Sequence, residues 1–272
     1  MTGTPPPESS VVVPGLDGPW PLPVRGPSVP ALDPAVLMAF EGVSAATACA
    51  KLHQMGITRT FLEGPRTHRA GARVVGRAVT LQMMPMREDI YSDAGTTQEY
   101  VERSSALWAV LDLIEPGDVL VVQALGSLRS GVVGEMLANH LSNRGGVGIV
   151  ADGGVRDSGR LAEIGLPVWS LGPTPHYASQ GALLPWGYHV PVAVGGALVL
   201  PGDLIVADDD GAVVVPIGKA AAVAEASSHH ESWETFSRLR LSQGGALRRY
   251  YPLDEEGRRE YEQWDAAGRP GE

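Results

Sequence analysis

The fold of this chain is decided by one continuous stretch, residues 118–171, which reads DVLVVQALGSLRSGVVGEMLANHLSNRGGVGIVADGGVRDSGRLAEIGLPVWSL. Short apolar runs alternate there with segments in which apolar residues recur three and four positions apart. The first pattern is typical of buried strands and the second of helices. We therefore predict strands at 119–122, 147–151 and 168–171 and helices at 132–143 and 157–164. Strands that alternate with helices form parallel sheets joined by crossover helices, so the stretch indicates an α/β fold.

The flanking sequence adds elements on both sides. Asp33-Pro34 has the pattern of a helix start, an N-cap followed by proline at the first helical position, and it predicts one helix that continues to Leu52. After Tyr188 the pattern becomes rich in strands and tight turns. The further predicted elements are strands at 73–84, 189–200, 203–207 and 211–215, helices at 97–114 and 217–242, and a charged, polar tail at 243–272.

The chain divides into three parts. Residues 1–30 hold nine prolines, which fix φ and remove backbone donors, so this part is predicted to be an extended arm. We favour a loose tail over an arm that lies on a neighbouring subunit, because terminal segments are usually poorly ordered. Residues 31–216 form the predicted main domain. Residues 217–272 form a C-terminal helix and tail.

Composition narrows the functional classes. The net charge of −10 repels phosphate backbones, so nucleic acid is not an expected partner. No stretch approaches the roughly 20 apolar residues of a membrane helix, and the N-terminus lacks the pattern of a secretory signal, so we expect a cytoplasmic protein without a membrane partner. The single cysteine, Cys49, excludes an internal disulfide and a metal site built from cysteines.

Polar residues follow two neighbouring predicted strands. A loop rich in glycine and serine, Gly126 to Gly131, leads to a helix start at Gly134-Glu-Met-Leu137, and the next strand ends in Asp152-Gly-Gly-Val-Arg-Asp157. In alternating sheets ligands sit beyond the carboxyl ends of the strands, and helix N-termini bind anions through unpaired amides. Arg156 is therefore expected to meet a carboxylate held on the amides of residues 134–137. Asp157 and Glu135 are candidates to bind a divalent cation, Glu135 directly or through a water.

Two plainer interpretations stay open at this level. Glu135 is also the acidic residue expected in the first turn of any helix. Arg156 and Asp157 are also expected as a surface ion pair or a helix cap. Spacing alone does not decide between these interpretations and a binding site.

The same motifs resemble those of the RraA-like family. They are Gly126-Ser-Leu128, Gly134-Glu-Met-Leu-Ala138 and Gly153-Gly-Val-Arg-Asp157, supported by Gly76-Arg-Ala-Val-Thr80, Pro116-Gly-Asp-Val119, Pro201-Gly-Asp203 and Ala207-Asp-Asp-Asp-Gly211. The resemblance covers roughly residues 35–245. It implies a β/β/α swivelling-domain sandwich that assembles as a homotrimer or homohexamer.

The resemblance also implies the roles of the site residues. The catalytic branch of the family contains 4-hydroxy-4-methyl-2-oxoglutarate aldolases that also decarboxylate oxaloacetate. By that likeness the amides of Gly134, Glu135, Met136 and Leu137 and the side chain of Arg156 hold the pyruvate unit. Asp157 binds Mg²⁺ or Mn²⁺, and Glu135 orients a water on the metal. A glutamate near the C-terminus completes the site from an adjacent subunit; Glu234 is the first candidate and Glu231 the second.

The implied function is that of a metal-dependent (class II) pyruvate aldolase or 2-oxo acid decarboxylase, a lyase. A Schiff-base mechanism needs a lysine in the pocket, and Lys51 and Lys219 both lie outside residues 118–171. The alternative is a non-catalytic, protein-binding regulator of a ribonuclease, which is the role of the namesake branch. The helix after Val215, with its glutamates, favours the enzyme over this regulator.

Overall fold

The computed structural model of the chain describes residues 9–11, 20–87, 105–178 and 182–271. The strands of the described part are β1 (Ser9–Val11), β2 (Trp20–Leu22), β3 (Val24–Arg25), β4 (Arg66–Thr67), β5 (Val74–Pro85), β6 (Asp118–Gln123), β7 (Gly148–Ala151), β8 (Gly154–Val155), β9 (Val168–Ser170), β10 (Gly172–Pro173), β11 (Leu183–Tyr188), β12 (Val192–Val194), β13 (Ala197–Val199), β14 (Leu204–Asp208) and β15 (Gly211–Val215). Its α-helices are α1 (Pro34–Ala39), α2 (Ala45–Gln54), α3 (Ala106–Leu111), α4 (Glu135–Asn143), α5 (Ser158–Ile164), α6 (Ala220–Ser242), α7 (Leu247–Tyr250) and α8 (Glu255–Ala266), with a 3₁₀ turn at Ile217–Lys219.

A mixed sheet forms the centre of the fold. Its strands lie in the order β15-β14-β5-β6-β7-β9-β4, and β11 pairs with β5 and β3. Strands β5, β6, β7 and β9 run parallel to one another. Helix α4 connects β6 to β7 and α5 connects β7 to β9. The alternation predicted for residues 118–171 is therefore confirmed, and the carboxyl ends of β6 and β7 lie side by side.

The core consists of three apolar clusters that pack on this sheet, and one of them joins α1, α2 and α6 to β14 and β15. Helices α3, α4 and α5 cover one face, where Leu111, Leu141 and Leu161 pack on strand residues such as Leu120. The hairpin β12–β13 covers the other face and packs on Val121 and its neighbours. Because both faces are covered, every residue of β6 is buried. The layers are therefore hairpin, sheet and helices, the β/β/α sandwich that was predicted.

The predicted helix from Asp33 to Leu52 is wrong as a single element. It is two helices, α1 and α2, separated at Phe40–Ser44. Gly42 has φ +86°, a conformation that ends a helix and that glycine adopts without strain. The Ser44 hydroxyl then accepts a hydrogen bond from the Thr47 amide at 3.0 Å and caps α2.

Other predicted strands and helices also have different bounds in the structure. The predicted strand 189–200 is wrong, because β11 ends at Tyr188 and a separate hairpin turns at Gly195 and Gly196, both at positive φ. The predicted helix 132–143 begins only at Glu135. The predicted helix 97–114 is helical over Ala106–Leu111, while residues 97–104 of that prediction lie outside the described residues.

The C-terminal segment is more ordered than the predicted polar tail. Helices α7 and α8 fold back on α6, and Phe236 of α6 is fully buried against Tyr250, Tyr261 and Trp264 at ring distances of 6.0, 5.8 and 5.4 Å. Charged side chains cover this aromatic cluster, with Arg249 bound to Glu256 and Glu260. The many charged residues of this segment predict a polar tail, but its aromatic residues form a small apolar core with α6.

The second half of the proline-rich arm lies on the domain itself. Strand β3 pairs in parallel with β11, and the Gly26 amide donates to the Tyr188 carbonyl at 3.0 Å. The Arg77 guanidinium donates to the Pro30 carbonyl at 2.6 Å and pairs with Asp118 at 2.7 Å. The loose tail that we favoured is therefore wrong for residues 24–30, whereas residues 1–8 and 12–19 lie outside the described residues. The domain limits at 30 and 216 stay predictions.

In the part of the chain that the structure describes, no helix has both the length and the apolar character needed to cross a lipid bilayer.

Candidate active site at the carboxyl ends of two parallel strands

Two loops that follow β6 and β7 form the predicted site, and backbone hydrogen bonds join them along their length. The Gly126 amide donates to the Asp152 carbonyl, and the Gly154 amide donates to the Ser127 carbonyl. Further along, the Val132 amide donates to Gly154 and the Arg156 amide to Val133, at 3.0 and 2.9 Å. This ladder fixes the register of the first loop against the second, so that the start of α4 comes to lie beside Arg156 and Asp157.

Gly134 lies where the two loops approach each other closely. A Cβ atom at this position would lie 2.7 Å from the Asp157 Oδ2 atom and 3.3 Å from the Arg156 Nε atom. Both atoms are at the ends of side chains, so a larger residue would shift the charged pair away from the helix start. Glycine at this position therefore lets Asp157 and Arg156 lie against the start of α4.

Three predicted groups converge on one atom. The Asp157 Oδ2 atom accepts hydrogen bonds from the Glu135 amide at 3.3 Å and from the Arg156 Nε at 3.1 Å. Both side chains are partly open to solvent, 39% for Arg156 and 33% for Asp157. The amide and the guanidinium predicted to hold a substrate carboxylate thus already hold a carboxylate, that of Asp157.

Asp157 has an unusual backbone for a residue with a side chain. Its φ and ψ are 58° and 41°, in the left-handed region, which aspartate tolerates better than most residues. It precedes the first residue of α5, yet it makes no side-chain capping bond to that helix. The helix-cap interpretation is therefore wrong for its side chain, and the ion-pair interpretation holds together with the contact to α4.

The first turn of α4 presents its amides at the same place. The amides of Glu135, Met136 and Leu137 belong to the first turn, where backbone donors have no acceptor within the helix. The Glu135 side chain is half-buried and Leu137 packs partly on the core, whereas Met136 is 70% exposed. Leu125 and Leu128, on the preceding loop, are about half exposed. We call these three exposed apolar residues, which lie on the segment that leads into the polar centre, the rim of the site.

The structure does not bring the C-terminal glutamates to this site within one chain. Glu234 pairs with His230 at 3.0 Å and accepts a hydrogen bond from the Tyr251 hydroxyl at 3.4 Å. Its helix, α6, packs on α1 and α2. The Glu231 side chain lies outside the described residues. A role of either glutamate in a neighbouring subunit's site stays a prediction.

The residues at the site fit a magnesium or manganese ion only as a water-rich site. Within the described residues no three histidine, cysteine, aspartate or glutamate side chains are grouped to hold a metal. Asp157 and Glu135 offer carboxylates from adjoining segments, and a hard cation such as Mg²⁺ commonly keeps several waters and takes one or two carboxylates from the protein.

Sequence reasoning missed Asp152, the first residue after β7. Its Oδ1 atom accepts a short hydrogen bond from the Ala124 amide, and the amides of Gly195 and Leu125 stabilise the charge of its carboxylate. Burial raises the pKa of Asp152 to about 6, although these amides act in the opposite direction. Its place at the end of a buried strand, before two glycines, was the available signal.

Known proteins resemble this chain in fold and in sequence. The fold is an α/β sandwich whose polar site lies beyond the carboxyl ends of parallel strands. Residues 45–214 match the model of the RraA-like family, described as Aldolase/RraA, and this chain belongs to that family.

Three relatives show the range of the family. RraAS2 of Streptomyces coelicolor, described as an unusual member of the RNase ES inhibitor RraA protein family, is 51% identical in sequence, with a TM-score of 0.70 over 79% of this chain and 100% of that one. An uncharacterized protein of Pseudomonas syringae pv. tomato is 26% identical, with a TM-score of 0.68 over 80% of this chain and 98% of that one. A protein of Halalkalibacterium halodurans named "Putative 4-hydroxy-4-methyl-2-oxoglutarate aldolase" is 28% identical over 140 residues, 52% of this chain and 66% of that protein, slightly less than two thirds of its length.

Proposed function

We propose that this protein is a divalent-metal-dependent lyase that cleaves a C–C bond of a 2-oxo acid, by retro-aldol cleavage, by decarboxylation of an oxaloacetate-type substrate, or by both. One observation carries the proposal: the Glu135 amide, the Arg156 guanidinium and the Asp157 carboxylate meet at a single point. The likeness to a protein named as an aldolase supports it.

The chain's own residues supply the binding of the substrate. The Arg156 guanidinium and the first-turn amides of α4 are donors that match a carboxylate and an adjacent carbonyl oxygen. They now hold the Asp157 Oδ2 atom. A substrate carboxylate that takes these donors releases Asp157, and its freed oxygen becomes available to a cation. Binding of substrate and cation is thereby coupled through one side chain.

Asp157 and Glu135 would hold Mg²⁺ or Mn²⁺, Glu135 through a water. When bound, the cation acts as a Lewis acid that withdraws electrons from the 2-oxo group. Arg156 stabilises the negative charge that develops on the carbonyl oxygen as the C–C bond breaks, since fixed donors in a pre-formed site stabilise such charge strongly. Glu135 is placed to orient the water that moves a proton.

The test measures pyruvate release with and without metal. Treatment with EDTA should abolish pyruvate release from oxaloacetate and from 4-hydroxy-4-methyl-2-oxoglutarate, and Mg²⁺ or Mn²⁺ should restore it. Free metal itself decarboxylates oxaloacetate, so the control is Asp157→Ala protein with the same metal, which should show only the background rate. Borohydride with substrate should not trap the protein. Activity that survives EDTA would contradict the proposal.

A second candidate is a protein-binding regulator of a ribonuclease, favoured by the 51% identity to RraAS2. The variant Asp157→Ala distinguishes the two functions. If the regulator is right, Asp157→Ala should inhibit a purified ribonuclease E-type enzyme as the wild type does, and neither protein should release pyruvate. We propose further that the protein is cytoplasmic and forms a trimer or hexamer.

A further inference from the structure

The carboxylate of Asp152 joins three segments around the proposed site. It follows β7 directly, and it accepts a hydrogen bond from the Ala124 amide at the end of β6. The amides of Leu125, in the loop after β6, and of Gly195, in the turn of the hairpin β12–β13, stabilise its charge. A single side chain therefore lies where the end of β6, the loop after it and the covering hairpin meet.

The loop next to Asp152 begins with a strained turn. Leu125 and Gly126 both have positive φ, 55° and 72°, and this conformation is costly for leucine. The side chain of Leu125 is about half exposed, so packing does not compensate for that cost. The Asp152 carboxylate accepts a hydrogen bond from the Ala124 amide just before this turn, and its backbone carbonyl accepts one from the Gly126 amide at 2.8 Å.

The turn is the first rung of the ladder that ends at the site. From Gly126 and Asp152 the paired segments run through Ser127 with Gly154 and Val133 with Arg156, and the next contact is that of the Glu135 amide with Asp157. A shift at the first rung moves the helix start relative to Arg156. Misplacement of catalytic groups by about 1 Å can cost on the order of 10²-fold in rate.

We infer that Asp152 is a positioning residue for the proposed lyase reaction: its ionised carboxylate sets the register of residues 124–135 against Arg156 and Asp157. This inference rests on the proposed function. The Ala124 amide donates a hydrogen bond to the carboxylate, and the amides of Leu125, Gly195 and Asp152 itself stabilise its negative charge. A protonated carboxyl loses acceptor capacity and cannot satisfy them all.

Few charges lie near Asp152 to disturb its titration. On the packed segments the charged side chains are Glu63, whose amide donates to the Gly195 carbonyl, Arg129 on the loop after Ser127, and Arg156 and Asp157 further along its own loop. Because the pKa of Asp152 is raised to about 6 by burial, its ionised fraction rises between pH 5 and 7. The geometry of the site should improve over the same interval.

The experiment compares Asp152→Asn with a matched control, Asp203→Asn. Asp203 is also buried, its pKa is also raised by burial, and it accepts from the Leu200 and Ile217 amides at 2.9 and 3.2 Å. It precedes β14 and lies beside Ala78 of β5, level with the start of β6, so that roughly the length of a strand, about 20 Å, separates it from the site. Asp152→Asn should lower kcat/KM at pH 7.5 at least tenfold and remove the acidic limb of the pH profile near 6. Asp203→Asn should keep both.

The stability of Asp152→Asn distinguishes a residue that positions the site from one that only supports the fold. A raised pKa means that burial of the charge opposes folding above about pH 6, and asparagine removes that charge while it leaves some amides without an acceptor. Because these effects oppose each other, the Tm of Asp152→Asn should stay within a few degrees of wild type while activity falls. Wild-type kcat/KM with an intact acidic limb in Asp152→Asn would overturn the inference.

Two measurements do not depend on turnover. Hydrogen exchange of the amides at 124–135, compared at pH 7.5 between the wild type and Asp152→Asn, should show less protection in the variant, and equal protection would overturn the inference. Oxalate binding to the wild type with Mg²⁺, measured calorimetrically, should weaken from pH 7.5 to pH 5. If the wild type neither binds oxalate nor releases pyruvate, the proposed function fails, while the exchange result still judges the anchoring role of Asp152.

Discussion

At the scale of single residues, the planar guanidinium of Arg156 is what the proposed site depends on most. Lysine would keep the charge but offers no fork to bind a carboxylate through two parallel bonds. We expect Arg156→Lys to lower kcat/KM at least about tenfold, a loss of about 1.4 kcal/mol of transition-state stabilisation. Steady-state kinetics on oxaloacetate with saturating Mg²⁺ would measure it.

Arg160 provides the matched control for that substitution. It lies one turn further along, in α5, is 64% exposed and pairs with Glu163 at 2.9 Å. Arg160→Lys should leave kcat/KM within about twofold of wild type. Equal effects of the two substitutions would mean that Arg156 contributes charge alone.

The sequence predicts that the site residues lie close together, but it does not predict which atoms form hydrogen bonds with one another. Strand ends that lie side by side in a parallel sheet bring Gly134–Leu137 and Arg156–Asp157 together, which follows from alternation alone. The contact of the Glu135 amide with Asp157 depends on the left-handed backbone of Asp157. No pattern in the sequence specifies that conformation for an aspartate.

At the scale of secondary structure, the error at 243–272 has a clear cause. Helix α8 has two acidic residues in its first turn and many charges beyond it, and such a composition was interpreted as solvated tail. The helix nevertheless places Trp264 against Phe236 of α6, and the indole NH donates to the Pro270 carbonyl at 2.9 Å. A few aromatic residues suffice to fold a charged segment when another helix offers them a partner.

This aromatic cluster should carry much of the stability of the C-terminal helices. Phe236 is fully buried, and truncation of a buried phenylalanine to alanine typically costs about 3–5 kcal/mol. We expect Phe236→Ala to lower the free energy of unfolding by that amount in urea titrations at fixed protein concentration. Leu247→Ala, at a position 62% exposed, should change it by less than about 0.5 kcal/mol. Equal values for both would mean that α7 and α8 do not pack on α6 as described.

At the scale of the whole molecule, the fold leaves the proposed site open on one side. One chain offers Asp157 and Glu135, and its described residues hold no third carboxylate in reach. The rim of the site exposes Leu125, Leu128 and Met136, and apolar residues clustered on a surface often mark a protein interface. A second subunit that covers this rim could bring further ligands, which is the place the family resemblance assigns to Glu234.

A mixing experiment tests whether Glu234 acts in trans. Within its own chain Glu234 is bound to His230 and Tyr251, so the local alternative is that it only stabilises the junction of α6 and α7. Arg156→Ala and Glu234→Ala should each lose most activity alone. Co-expressed with different tags and purified through both, they should regain part of it, because some interfaces then carry both wild-type residues. Glu225→Ala, an exposed change on the same helix, should stay active in every combination. A Glu234→Ala homo-oligomer with wild-type kcat/KM, or verified hetero-oligomers without recovery, would reject the trans assignment and leave Glu234 as a residue that holds α6 to α7.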